Sequence, residues 1–181
     1  PRACYDESKR LGETLCYIYR HQHGVNAPIV RPFNVYGPGM SEADYRVLPN
    51  FASAIKAGKP LEVYGTGKQT RTYCYVTDAI VGFFLTLVGG RGAEPYNIGN
   101  PKPEISVVEL IEVIEKVLDR KLDRIQVGYP DSYPGDEPNR RCPKVDKAKN
   151  ELGFSAIVEL QEGLQRYLSW TDSAYTGVRS R

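Results

Sequence analysis

The chain has 181 residues, 41% of them hydrophobic and 25% charged, enough to bury the core of one globular domain or slightly more. Lys plus Arg number 24 against 22 for Asp plus Glu, a formal charge of +2, so no global field recruits nucleic acid or an anionic membrane surface and any anion site has to be local. The longest apolar run, 83–88, falls far short of the ~20 residues that cross a bilayer, which excludes a membrane-spanning helix.

The opening Pro1-Arg2-Ala3-Cys4-Tyr5-Asp6-Glu7 has neither the basic nor the apolar region of a secretory signal, and no Met precedes it, so the chain is expected to begin in mid-protein. The spacing of Leu11, Leu15 and Tyr19 predicts a helix over 6–23, with Gly24 ending it. His21 and His23 fall on different sides of that helix, and no metal site is expected. Residues 27–33, with Ile29 and Val30, read as a strand, and 34–39 as a loop at its carboxyl end, the place where ligands sit in α/β sheets. A second helix is predicted over 47–57, closed by Gly58, then a strand over 61–64 leading into the turn Gly65-Thr66-Gly67.

Residues 72–76 read as another strand, and Asp78 as the N-cap of a helix over 79–88. A short strand is expected at 96–99. The clearest local signal follows: Ser106 as N-cap, Glu109 three residues on, and Ile105 facing Leu110 as a staple. The helix after it buries Leu110, Ile111, Ile114, Val117 and Leu118. Residues 131–143 form a Pro-rich, charged excursion, and 144–152 and 160–170 are the last helices. Cys4, Cys16, Cys74 and Cys142 are scattered without a C-x-x-C pair, which speaks against zinc or redox motifs and predicts a reduced, cytoplasmic setting.

Alternating helices and strands predict an α/β fold. No G-x-G-x-x-G follows a strand; Gly65-x-Gly67 lacks the third glycine and leads into strand-like sequence, a poor phosphate loop. Tyr5 and Lys9 carry more chemistry. At i and i+4 they share one helical face, and a cation beside a phenol favours its ionised form, which would suit Tyr5 to act as a base. The same pair also fits an ordinary amphipathic face.

Context decides between these readings. The chain carries Tyr5-Asp6-Glu7-Ser8-Lys9, then Arg31-Pro32-Phe33-Asn34-Val35-Tyr36-Gly37-Pro38, Gly67-Lys68-Gln69-Thr70-Arg71, Tyr75-Val76-Thr77-Asp78, Tyr96-Asn97-Ile98-Gly99, and Arg141-Cys142-Pro143 with Lys147-Ala148. In this order the series resembles the extended short-chain dehydrogenase/reductases that act on nucleotide-diphosphate sugars, the NAD-dependent epimerase/dehydratase family. Within it, residues 1–10 with Glu13-Thr14 and Cys16-Tyr17 are most similar to the UDP-glucuronate decarboxylases.

The resemblance implies the C-terminal part of a Rossmann-type enzyme. Residues 1–38 would be a remnant of the NAD-binding domain, and 39–181 mainly the substrate lobe, with some segments returning to the first. The glycine-rich half would be missing and this piece inactive. Tyr5 would be the base and Lys9 the anchor of the nicotinamide ribose, with Pro32 beside the cofactor. The resemblance further implies that Arg71 and Arg141 bind the diphosphate, that Asn34 helps hold it, that Arg46 lies in the substrate pocket, and that the enzyme is a homodimer.

Physical chemistry agrees that arginines suit this task, because a guanidinium meets phosphate oxygens in a bidentate fork that an ammonium cannot form. Arg71 follows a glycine turn, Arg141 lies in the Pro-rich excursion and Arg46 follows the loop at 38–39. Leu61 and Val63, at alternate positions of one strand, would face the uracil and ribose if that edge lines the pocket; core packing explains them equally well. Decarboxylation of UDP-glucuronate, 4-epimerisation, 4,6-dehydration and a non-catalytic nucleotide-sugar-binding module all stay open.

Overall fold

The computed structural model describes residues 3–129 and 138–178. Its elements, in chain order, are α1 (Ala3–His23), β1 (Ile29–Pro32), β2 (Val35–Tyr36), α2 (Val47–Lys56), β3 (Leu61–Tyr64), β4 (Thr70–Arg71), β5 (Cys74–Tyr75), α3 (Val76–Gly89), β6 (Pro95–Ile98), β7 (Ile105–Ser106), α4 (Val107–Leu118), β8 (Arg124–Val127), β9 (Arg140–Arg141), α5 (Asp146–Leu152) and α6 (Leu160–Ala174). Strands β1 and β6, β2 and β5, and β3 and β8 pair in parallel. A further sheet runs β7-β4-β9, with β4 antiparallel to β7 and parallel to β9.

Two cores organise these pieces. The larger packs Leu48 and Phe51 of α2, Leu61 and Val63 of β3, Leu110, Ile111 and Ile114 of α4, and Leu164, Tyr167 and Leu168 of α6. The smaller gathers Cys74, Ala79, Tyr96, Ile98, Ala148 and Phe154, with Val30 of β1 against them. Thus α3 and β6, consecutive in the chain, and the distant α5 gather around β1. Where α3 meets the sheet, a side chain on Gly82 would put its Cβ 2.4 Å from an Ile98 carbon, so only glycine lets helix and strand approach this closely.

Local chemistry explains the element ends. Ser106 Oγ accepts the Glu109 N–H at 3.2 Å while Glu109 Oε2 accepts the Ser106 N–H at 2.7 Å, a reciprocal capping box that starts α4. Helix α2 closes at Gly58 with φ +63°, a left-handed value that glycine adopts without penalty.

Three expectations need correction. Residues 72–76 are not one strand: the chain pairs with β7 and β9 through Arg71, then changes partner to β2 at Cys74. Asn34 fixes the switch, its amide donating to the Thr72 carbonyl at 2.8 Å and its own carbonyl accepting the Cys74 N–H at 3.2 Å. The loop at 34–39 accordingly contains β2. Asp78 does not cap α3, which already begins at Val76; buried, it accepts the N–H groups of Ile157 at 3.1 Å and Val158 at 3.0 Å. Residues 131–137 of the Pro-rich excursion, with residue 130 before them, lie outside the described residues.

Helix α1 spans its predicted length but buries none of its residues. Leu11, Leu15 and Tyr19 are exposed. A bidentate ion pair from Arg31 of β1 to Glu13 ties the helix down at 2.6 and 2.5 Å. Each histidine rests on the tyrosine one turn earlier, His21 on Tyr17 and His23 on Tyr19, with ring centroids 4.1 and 5.3 Å apart.

Candidate functional site

The β7-β4-β9 sheet brings together residues that stand far apart in sequence. Arg71 on β4 is the register partner of Arg141 on β9, and Ile105 of β7 flanks it on the other side. Alternate residues of a strand point to opposite faces while register partners share one, so the two arginines stand side by side. Arg71 is 9% exposed, and its Nη1 donates to the carbonyls of Thr70 at 2.8 Å and Asn139 at 3.3 Å. Burial and these bonds hold the guanidinium in place, which removes part of the entropy a free arginine loses on meeting an anion.

The opposite face of the same sheet is also polar. Glu104, one residue before β7, accepts from Thr70 Oγ1 at 2.7 Å and from Arg140 Nη2 at 2.7 Å. The Thr70 hydroxyl, then Arg140, hold its carboxyl below the usual carboxylate range. Beyond Arg71 in the chain come two buried hydroxyls, Thr72 Oγ1 and Tyr73 Oη, that have no hydrogen-bond partner among the described residues. Burial pushes the Tyr73 phenol pKa up, against the opposing charge of Arg71.

The other sequence candidates fall into separate groups. Asn34, with φ +43°, spends its amide on the Thr72 carbonyl, one residue from Arg71. Arg46 precedes α2 and grips Asp44, its Nε 2.9 Å from Oδ2 and its Nη2 2.5 Å from the same oxygen, and this pairing raises its pKa. Leu61 and Val63 are 1% and 7% exposed inside the larger core: of the two roles left open for them, packing is the one their surroundings describe. Tyr5 and Lys9 share the exposed face of α1, with Lys9 Nζ 5.3 Å from the Tyr5 ring centroid. Pro32, at the end of β1, is exposed.

Sequence reasoning passed over Glu104 and Asp78 as ligands of other parts of the chain. Both act over long range, and neither lies in a local pattern that reveals it. Glu42 belongs with them: its carboxylate accepts the N–H groups of Thr176 at 2.9 Å and Gly177 at 2.7 Å, which straps the C-terminal segment to the loop carrying Arg46.

The model of the NAD dependent epimerase/dehydratase family matches residues 1–99. The chain belongs to this family. Among similar members, UDP-glucuronic acid decarboxylase 3 of Arabidopsis thaliana is 42% identical over 163 residues, covering 90% of this chain and 46% of that protein. UDP-glucuronic acid decarboxylase 1 of Xenopus tropicalis is 39% identical over 170 residues, covering 94% and 39%. The chain therefore spans less than half the length of these two relatives.

Solved members of the family share the fold. UDP-glucuronic acid 4-epimerase from Bacillus cereus, in complex with UDP-glucuronic acid and NAD, superimposes with a TM-score of 0.80 at 29% identity, over 91% of this chain and 51% of that one. The dTDP-glucose 4,6-dehydratase of Bacillus anthracis, in complex with NAD, reaches 0.82 at 26% identity, over 96% and 53%. The mixed α/β architecture is thus that of the Rossmann-type epimerases and dehydratases, of which this chain spans about half. No helix among the described residues is long and apolar enough to cross a membrane.

Proposed function

We propose that this chain is the substrate-gripping part, with the catalytic helix, of an NAD-dependent enzyme that decarboxylates UDP-glucuronate to UDP-xylose. The observation that carries the reading is the in-register pair Arg71 and Arg141, a double cation matched to the roughly two negative charges of a diphosphate. The decarboxylase relatives favour glucuronate as the sugar. Elements β1, β6, α3 and α5 would serve the cofactor side, and α2, β3, α4 and α6 the sugar nucleotide. We assign the working enzyme to the cytoplasm as a homodimer.

Tyr5 and Lys9 fit the edge of a nicotinamide cofactor, because they lie side by side on an open helix face. Bound there, NAD would accept the hydride of the sugar C4 and return it. Tyr5 takes the proton of the C4 hydroxyl and Lys9 places positive charge beside the phenol. The two arginines hold the diphosphate, and Asn34, through its bond to the Thr72 carbonyl, steadies the strand beside Arg71, so that the sugar stays in register with Tyr5. With C4 a ketone, the carboxylate on C5 stands β to it; the C5–carboxyl bond breaks, carbon dioxide leaves, the bond's electron pair passes into the enolate, C5 takes up a proton from water, and Tyr5 gives its proton back to the C4 oxygen as the ketone is reduced.

A 4-epimerase is the second reading, favoured by the likeness to an epimerase in complex with UDP-glucuronic acid. One mass spectrum separates the outcomes. The enzyme with its glycine-rich half, given UDP-glucuronate, is expected to release carbon dioxide and yield UDP-xylose; an unchanged product mass means epimerisation, and no conversion means a binding module. The 181-residue chain alone is expected to turn over nothing, since no glycine-rich dinucleotide loop lies within it. It should still prefer UDP to uridine in a calorimetric titration, and Arg71→Lys should cut that preference roughly tenfold or more.

A further inference from the structure

The anion site has an ambiguity built into its sequence. Arg140 and Arg141 are identical neighbours on a two-residue strand, and neighbours in a strand face opposite ways. A slip of β9 by one position would present Arg140 beside Arg71 and turn Arg141 to the other face. Side-chain composition cannot choose between the two registers, and the pairing itself is short. Like charges side by side on adjacent strands also push β4 and β9 apart.

One carboxylate resolves the choice. Thr70 and Arg140 are register partners on the face opposite Arg71 and Arg141. Glu104 bonds both at once, Thr70 Oγ1 to Oε1 and Arg140 Nη2 to Oε2, each at 2.7 Å. It stands directly before β7, the third member of the sheet, so its side chain joins the start of β7 to β4 and β9. We propose that Glu104 is a positioning residue: by claiming Arg140 and Thr70 on one face, it fixes the register that sets Arg141 beside Arg71 on the other. The proposal rests on the reading of Arg71 and Arg141 as the diphosphate clamp.

Charge supports the geometry. Arg71, Arg140 and Arg141 together bring three positive charges to a small sheet, and Glu104 offsets one of them through a charge-assisted bond. That leaves a net charge of about +2 facing a ligand of about −2. Removing Glu104 would leave three positive charges, which on charge alone would strengthen anion binding, so a loss of UDP preference on its removal reports the register and not the charge.

The test is a set of calorimetric titrations of UDP and uridine, at one salt concentration, into the 181-residue chain. Glu104→Ala is expected to lose the preference for UDP over uridine about fivefold or more, with uridine affinity unchanged. Glu104→Gln, which keeps the size and one acceptor oxygen, should fall between it and the parent. In the parent, Arg141→Ala should cost far more preference than Arg140→Ala; in the Glu104→Ala background the two losses should converge, because neither register is then favoured. Hydrogen exchange supplies an independent reading: the Thr70 amide, which donates to the Asn139 carbonyl at 2.8 Å, should exchange faster in Glu104→Ala.

Retention of the parent preference in Glu104→Ala, or an undiminished inequality between Arg140 and Arg141 in that background, overturns the positioning role while leaving the clamp intact. Arg71→Lys run alongside separates the other case. If the parent does not favour UDP, or Arg71→Lys favours it equally, the clamp reading fails and the role of Glu104 fails with it.

Discussion

Asp78 holds two backbone N–H groups, those of Ile157 and Val158, on the single oxygen Oδ2. Their distance along the chain hides this from the sequence, where an aspartate before an apolar helix reads as a cap. Removing the carboxylate leaves two donors without partners at the junction between α3 and the segment leading to α6. Asp78→Ala should therefore cost about 2 to 4 kcal/mol in urea unfolding. Asp78→Asn can place its amide oxygen where Oδ2 stands and should cost less than half as much; equal losses would mean the charge matters and not the two bonds. Tyr5 makes a different kind of prediction. In the enzyme with its cofactor half, Tyr5→Phe should lower kcat by orders of magnitude with nucleotide binding nearly intact, and near-normal turnover would remove Tyr5 from the chemistry.

At the scale of elements, what could be read in advance was what short-range chemistry dictates. Helices α2 and α4 and strand β3 announce themselves through apolar spacing, a capping box and glycine ends. Strands β2, β4, β5, β7 and β9 are two residues long, too short for any alternation to register, and exist because partners arrive from elsewhere. Strand β8, Arg-Ile-Gln-Val, is mostly exposed beside β3 and lacks an apolar face to betray it. The site was legible in part for the same reason: Arg71 and Arg141 stand out only by their place in spaced motifs, and their adjacency is a product of pairing.

Elements also differ in how firmly they are held. Helix α1 buries nothing, whereas α4 buries Val107, Leu110, Ile111 and Ile114. Its amides should exchange with solvent far faster than those of α4 under native conditions; comparable protection would show that α1 is covered in solution. Ion pairs and caps add a dependence on acid. Glu13 through its bond from Arg31, Glu104 through Thr70 and Arg140, and Glu109 through Ser106 all titrate below the ordinary glutamate value of 4.5. A carboxyl with a lowered folded pKa contributes stability above its unfolded value and loses it as pH falls through the folded one. The melting temperature should accordingly stay level above about pH 5 and decline below 4.5, and Glu104→Gln should flatten part of that decline.

For the molecule as a whole, the decisive feature is the way one chain is shared between two cores. It supplies β1 to the smaller core, α2 and β3 to the larger, α3 and β6 to the smaller, α4 to the larger, α5 to the smaller and α6 to the larger. A cut at the glycine turn 65–67 would leave each product holding part of both interiors. A chain nicked there is therefore expected to elute from a sizing column at its original volume and to come apart only in denaturant; separation in native buffer would show the interiors to be independent. The same interlacing makes the two halves candidates for a split reporter: expressed as separate polypeptides, 1–66 and 67–181 should be unable to fold alone and should recover the structure together.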